Sequence, residues 1–160
     1  MQSLKNLALI LTIATTAAAA SAMTYADGIP DGDGGVTFSP GAGVEASLVV
    51  SGPQVLLKVT GKQGESEETI AVETEKKLKV SIEDYNFDGH KDFAISHLDD
   101  GMGTYQIYQV YVYSAKAGKF LPLAPKCGDE FINLAVNKAK RTLTNSYMVE
   151  NKYKTCQMKF

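Results

Sequence analysis

The segment from Asp84 to Asp92 reads D-x-N-x-D-G-x-x-D, with Asp84, Asn86, Asp88 and Asp92 at loop positions one, three, five and nine and Gly89 at position six. Alternating oxygen-bearing side chains on a chain that turns sharply at a glycine suit a hard cation. Calcium takes about six to eight oxygens at roughly 2.3 to 2.6 Å from a loop that curls around it. His90, at position seven, would offer its backbone carbonyl, so its imidazole need not touch the ion. Position twelve holds Ile95 where a helix-flanked calcium loop carries a bidentate glutamate, so water or a remote oxygen must complete the shell. Oxygen-only donors favour calcium over zinc, and the number of ligands favours it over magnesium. The expected role is structural: neutralising the carboxylates crowded into one turn and locking two strands in register. The competing reading is an aspartate-rich turn whose side chains bond only their own backbone.

A loop can hold such a geometry only if strands flank it, and the chain supplies them. Short β-patterned runs occupy 44–50, 54–60, 68–73, 78–82, 92–97, 104–114, 119–123, 132–137, 141–149 and 153–159, separated by turn-formers such as Ser51-Gly52-Pro53, Asp99-Asp100-Gly101 and Ala117-Gly118. No run after the N-terminal segment keeps a 3.6-residue apolar period for three turns. The expected fold is all-β: an antiparallel meander forming a β-sandwich or propeller-like single domain over 44–160. In 104–114, Tyr105, Ile107, Gln109, Tyr111 and Tyr113 share one face while Tyr108, Val110 and Val112 share the other. A strand apolar on both faces is central, so these tyrosines read as core and half-buried surface ahead of a sugar-stacking platform.

The chain's 160 residues, 44% hydrophobic and 21% charged, describe an ordinary globular protein of single-domain size. With 18 acidic against 16 basic residues there is no field to gather a phosphate backbone, so no nucleic-acid partner is expected. The apolar content is uneven. Lys5, the apolar run 7–13 and the small residues Ala20-Ser21-Ala22 lay out a helical secretory signal peptide over 1–22, cut after Ala22. Its strongly apolar part is shorter than the roughly 20 residues of a spanning helix, so no membrane association is expected after cleavage. Residues 23–43, rich in glycine, aspartate and proline, read as a flexible leader. Export gives Cys127 and Cys156 a meaning, because an even pair in an oxidising compartment is most simply a disulfide. Metal or thiol chemistry lacks a CxxC partner and any histidine in the last sixty residues.

No nucleophile elbow, phosphate-cradling glycine loop or Ser-His-Asp order stands out, and with only His90 and His97 a metal hydrolase lacks ligands. Many aspartates could be paired for glycoside hydrolysis, but nothing singles out one pair. An enzyme is therefore not expected.

The strand, D-x-N-x-D-G-x-x-D loop and strand resemble the calcium loop of FG-GAP and VCBS-type repeats. A wider resemblance takes in residues 83–95, then Gly101-Met102-Gly103-Thr104-Tyr105 with Tyr108, Tyr111 and Tyr113, then Ser114-Ala115-Lys116-Ala117-Gly118-Lys119-Phe120. It is similar to a family of small bacterial periplasmic β-proteins containing inhibitors of invertebrate-type lysozyme and an immunity protein against a lysozyme-like effector. The resemblance implies periplasmic location and inhibition by inserting a loop into the cleft of a lysozyme-like hydrolase, by a monomer or weak dimer. Met102-Gly103-Thr104-Tyr105 aligns with the inhibitors' Ser-Gly-x-Tyr loop, with Met102 in place of serine. Within Asp99, Asp100, Gly101, Met102, Gly103, Thr104 and Tyr105, the glycines permit a narrow protruding turn. Tyr105 offers a ring with a hydroxyl, and Asp99 or Asp100 could face a basic partner surface. The alternatives are a plain hairpin loop and, for the whole protein, a carbohydrate-binding or adhesion module.

Overall fold

The computed structural model describes residues 34–160, so the predicted signal peptide (1–22) and the leader's first part (23–33) lie outside the described residues. The described residues form twelve strands in three antiparallel sheets. The first holds β1 (Gly34–Phe38), β2 (Glu45–Ser51), β3 (Gln54–Gly61) and β4 (Gly64–Ala71) in chain order. The second holds β5 (Lys79–Glu83), β6 (Asp92–Leu98), β7 (Gln106–Ser114) and β8 (Lys119–Leu123), with the short β9 (Phe131–Ile132) also paired to β7. The third holds β10 (Ala135–Asn137), β11 (Thr142–Val149) and β12 (Lys152–Lys159). The expected all-β, antiparallel class is what forms.

Alternation decides how the sheets stack. Ala46, Leu48 and Val50 on β2 and Val55, Leu57 and Val59 on β3 are buried, and they pack on Val80, Phe93, Ile95, Tyr113 and Phe120 of the second sheet. The opposite face of the second sheet sends Ala94 and Val110 into a smaller core with Tyr85, Phe131 and Leu143. The middle sheet is thus covered on both sides, which is why β6 is buried from Asp92 to His97 and reads as a continuous run instead of alternating. Phe93, fully buried, stacks on Tyr111 at 4.9 Å and meets Phe120 edge-on at 4.9 Å. Each such side chain contributes about 1.5 to 3 kcal/mol by leaving water.

Three expectations need correction. Part of the expected flexible leader is β1, laddered to β2 from Gly34↔Val50 to Phe38↔Ala46, with Phe38 packed 6.0 Å from Phe120. Its glycines hid it, because a ladder is made by backbone groups and needs few side chains. The run expected at 68–73 begins earlier, at Gly64, because β4 is an edge strand exposed almost throughout and offers no apolar pattern to read. The run 132–137 is broken at Asn133, whose φ of 46° turns the chain from the second sheet to the third.

Cys127 and Cys156 form the expected disulfide, tying the β8–β9 connection to β12 across 29 residues. Closing that loop contributes about 3 to 4 kcal/mol in the chain-entropy picture.

Candidate functional site

The two loops singled out by the sequence lie at opposite ends of β6. Residues 84–92 enter it and residues 99–105 leave it, separated by about 20 Å at roughly 3.3 Å per strand residue.

At the entering end the chain winds onto its own side chains. Asp84 accepts from the N–H of Asp88 at 3.1 Å and of Gly89 at 2.9 Å; Asn86 Oδ1 accepts from Asp88 N at 3.1 Å, and Asp88 Oδ1 from His90 N at 2.8 Å. Asn86 Nδ2 donates to Asp88 Oδ2 at 2.9 Å. Two left-handed residues make the curl, Phe87 at φ 60° and Gly89 at φ 90°. A phenylalanine there is costly. It is held because its carbonyl accepts from Arg141 Nη2 at 2.9 Å and its ring packs 5.6 Å from Phe160. Phe87, Arg141 and Phe160 are thus part of the loop's support, and no local spacing in the sequence could have disclosed it.

Asp92 stands apart from the other three. It is fully buried, its Oδ2 accepts from Tyr85 N at 2.8 Å and Asn86 N at 3.3 Å, and its Oδ1 accepts from Tyr113 N at 2.8 Å. The carboxylate therefore staples the start of the loop to the end of β7. Burial pushes its pKa up to about 6, opposed by those three N–H donors. Beside it the Tyr85 hydroxyl, bonded to Ser81 Oγ at 2.7 Å, is pushed up to about 12 by burial.

Among the described residues, no group of three or more His, Cys, Asp or Glu side chains is gathered as if around a metal. The donors that suit a hard cation are the side-chain oxygens of Asp84, Asn86 and Asp88 with the His90 carbonyl. The side-chain oxygens at positions one, three and five also accept from loop donors, the pattern of an aspartate-rich turn, but they are at least partly exposed, whereas Asp92 is fully buried on its three N–H groups. The His90 imidazole turns away to a cleft of about 370 Å³ between the β3–β4 and β7–β8 turns, where it meets Tyr113 edge-on at 5.5 Å and the Pro40 carbonyl at 3.3 Å.

At the leaving end, Asp99 organises its loop from inside. Its carboxylate accepts from Gly101 N at 3.1 Å, Gly103 N at 3.2 Å and Tyr105 N at 2.7 Å, while Asp99 N donates to the Tyr105 carbonyl at 2.8 Å. The Tyr105 N–H first, then the other loop N–H groups, hold its pKa below the usual carboxylate range. Asp100 reaches across the molecule: its Oδ1 accepts from Glu75 N at 3.0 Å and from Thr74 Oγ1 at 2.9 Å, and its pKa is likewise held down. Gly103 sits at φ 65° with open space around it. The side chain left at the apex is Met102, 90% exposed, whereas Tyr105 is half-buried. Asp99 and Asp100 are thus loop-closing groups in this structure, and the exposed apolar element is Met102.

The tyrosines of β7 do not form an open platform. Tyr113 is buried and Tyr111 lies stacked on Phe93. No protein-family model, curated protein or solved structure matches the chain.

Proposed function

We propose that this protein is exported to the periplasm and binds and inhibits a lysozyme-type peptidoglycan hydrolase, as an inhibitor or immunity protein, by seating residues 99–105 in the enzyme's cleft. The observation that carries the reading is a loop braced internally by Asp99 with Met102 90% exposed at its tip. A loop already held in shape loses little entropy on binding, and a bare apolar tip is suited to a pocket that excludes water. The disulfide agrees with an oxidising compartment. Calcium held by Asp84, Asn86, Asp88 and the His90 carbonyl stiffens the far end of β6 and takes no part in the contact. The test is titration of the protein into turbidity assays with goose-, chicken- and invertebrate-type lysozymes and bacterial muramidases, alongside calorimetry. Stoichiometric inhibition of at least one is expected. Binding to none of them contradicts the reading, and retention on peptidoglycan alone would favour a sugar-binding module instead.

A further inference from the structure

The cleft that receives the His90 ring is walled by residues 41–44, the β3–β4 turn and the β7–β8 turn, and holds about 370 Å³. Strand alternation sets what faces it. Val59 and Ser66 are paired on the inner face of β3 and β4, so both line the cleft, and Val44 and the buried Tyr113 complete an apolar floor. Glu65, the one acid among the described lining residues, belongs to the outer face of β4, where its carboxylate meets Lys58 Nζ at 2.9 Å. Glu68, next along the inner face from Ser66, does not line the cleft and acts on Tyr111 instead.

Two cations border the same space. Lys62 comes from the β3–β4 turn and Lys119 from the start of β8, and neither forms an ion pair among the described residues. Lys62 also borders a shallower hollow that holds Glu45, and the two are not paired. Gln63 spans from one wall to another: its carboxamide lies against Gly118, where φ is 63° and any side chain would collide with it. On the third wall the His90 ring lies so close to Gly41 that a side chain there would run into Nδ1. The cleft thus sets an apolar floor beneath two cations, a hydroxyl and an amide, and its single acid is already engaged.

We propose that this cleft binds a small organic carboxylate, with Lys62 and Lys119 meeting the anion, Ser66 and Gln63 as further polar partners, and the body of the ligand lying on Val44, Val59 and Tyr113. Lysine ammonium groups act as point charges, so they select the sign of the ligand. The apolar floor contributes only when the anion carries carbon atoms to cover it, which separates an organic acid from an inorganic ion. The volume falls near the lower end of the usual range for ligand pockets, so the ligand is small. An acidic sugar and the C-terminus of a short peptide both supply this chemistry. The cleft lies at the opposite end of β7 from loop 99–105, so the proposal stands independently of the inhibitor reading.

The test is NMR titration of the isotope-labelled protein with glucuronate and with N-acetylalanine, each beside its uncharged counterpart, glucose and N-acetylalanine amide, and with inorganic phosphate. At least one acid should saturably shift the amides of 61–66 and 115–119 with Kd below about 10 mM, and its uncharged counterpart should bind at least about tenfold more weakly. Which acid binds identifies the sugar or the peptide source. Lys62→Gln with Lys119→Gln should weaken that binding about tenfold or more. Lys152→Gln with Lys154→Gln, the same charge change on β12, should leave it within about twofold. Absence of saturable shifts at these amides with either acid overturns the proposal, as does equal binding of acid and uncharged counterpart or equal loss in the two double variants. Phosphate binding as tightly as the acids overturns the organic-acid assignment. Spectra of each variant that match the parent outside the substituted positions guard against misfolding as the cause.

Discussion

Replacing Asp92 by asparagine separates two effects that act on one carboxylate. The side chain is fully buried and accepts three backbone N–H groups at 2.8, 3.3 and 2.8 Å. Asparagine has one oxygen, so its amide must face either Tyr113 N or the Tyr85 and Asn86 pair, leaving one or two buried donors unmet. The cheaper orientation leaves only Tyr113 N unmet, and one unmet buried donor costs about 1 to 3 kcal/mol, so the variant should be less stable by about that much wherever charge plays no part. Charge does play a part as pH rises. With a folded pKa near 6 against an unfolded 3.8, the folded protein holds the proton more tightly than the unfolded chain. A raised acid of this kind contributes its stability in full below about pH 4 and loses it as pH climbs through 6. The loss, about 2 pKa units at 1.36 kcal/mol each, is about 3 kcal/mol. Asparagine cannot ionise and escapes that loss. The gap between parent and variant should therefore be wide at pH 4 and nearly closed at pH 7, measured by urea denaturation in chelator. A gap that is the same at both pH values refutes the buried titration, and parity at pH 4 refutes the staple.

Calcium at 100 times its dissociation constant should stabilise the parent by about 2.7 kcal/mol. Asp88→Ala should abolish that gain, whereas equal melting of parent and variant with and without chelator removes the ion from loop 84–92. Gly103→Val forces a β-branched residue into φ 65° where no neighbour crowds it. If the loop keeps its shape, strain of about 1 to 2 kcal/mol should lower the melting temperature by several degrees; if it relaxes instead, enzyme binding should weaken, and unchanged melting with undiminished binding would show that the loop's shape is irrelevant. Reducing Cys127–Cys156 should lower stability by about 3 to 4 kcal/mol; a shift below about 1 kcal/mol in denaturant titration would mean the β12 tether is not constraining the unfolded chain.

Much of this architecture was legible in the chain. The runs at 44–50, 54–60 and 104–114 were readable as the strands β2, β3 and β7, the two apolar faces of 104–114 marked β7 as central, and the cysteines paired as expected. The failures share a cause. β1 and β4 are held by backbone ladders with little buried side chain, so neither glycine at 34–35 nor the acids of β4 announce a strand. The spacing of the 84–92 loop shows which oxygens alternate, but not that Asp92 meets Tyr113 N on a strand 21 residues away. Likewise, Asp100 reads as a solvent-facing acid until the fold brings Thr74 and Glu75 to it. Long-range hydrogen bonds to backbone donors leave no trace in residue spacing, and they decide which acids are available to a ligand.

The central claim is that loop 99–105 is the contact surface. Its most direct test is calorimetric titration of the parent and Met102→Glu proteins, matched in melting temperature, into the muramidase panel. Binding of one enzyme by the parent, with at least tenfold weaker binding by the variant, is the predicted result; one part in ten corresponds to about 1.4 kcal/mol. Equal affinity of the two proteins would place the contact elsewhere on the surface and contradict the claim.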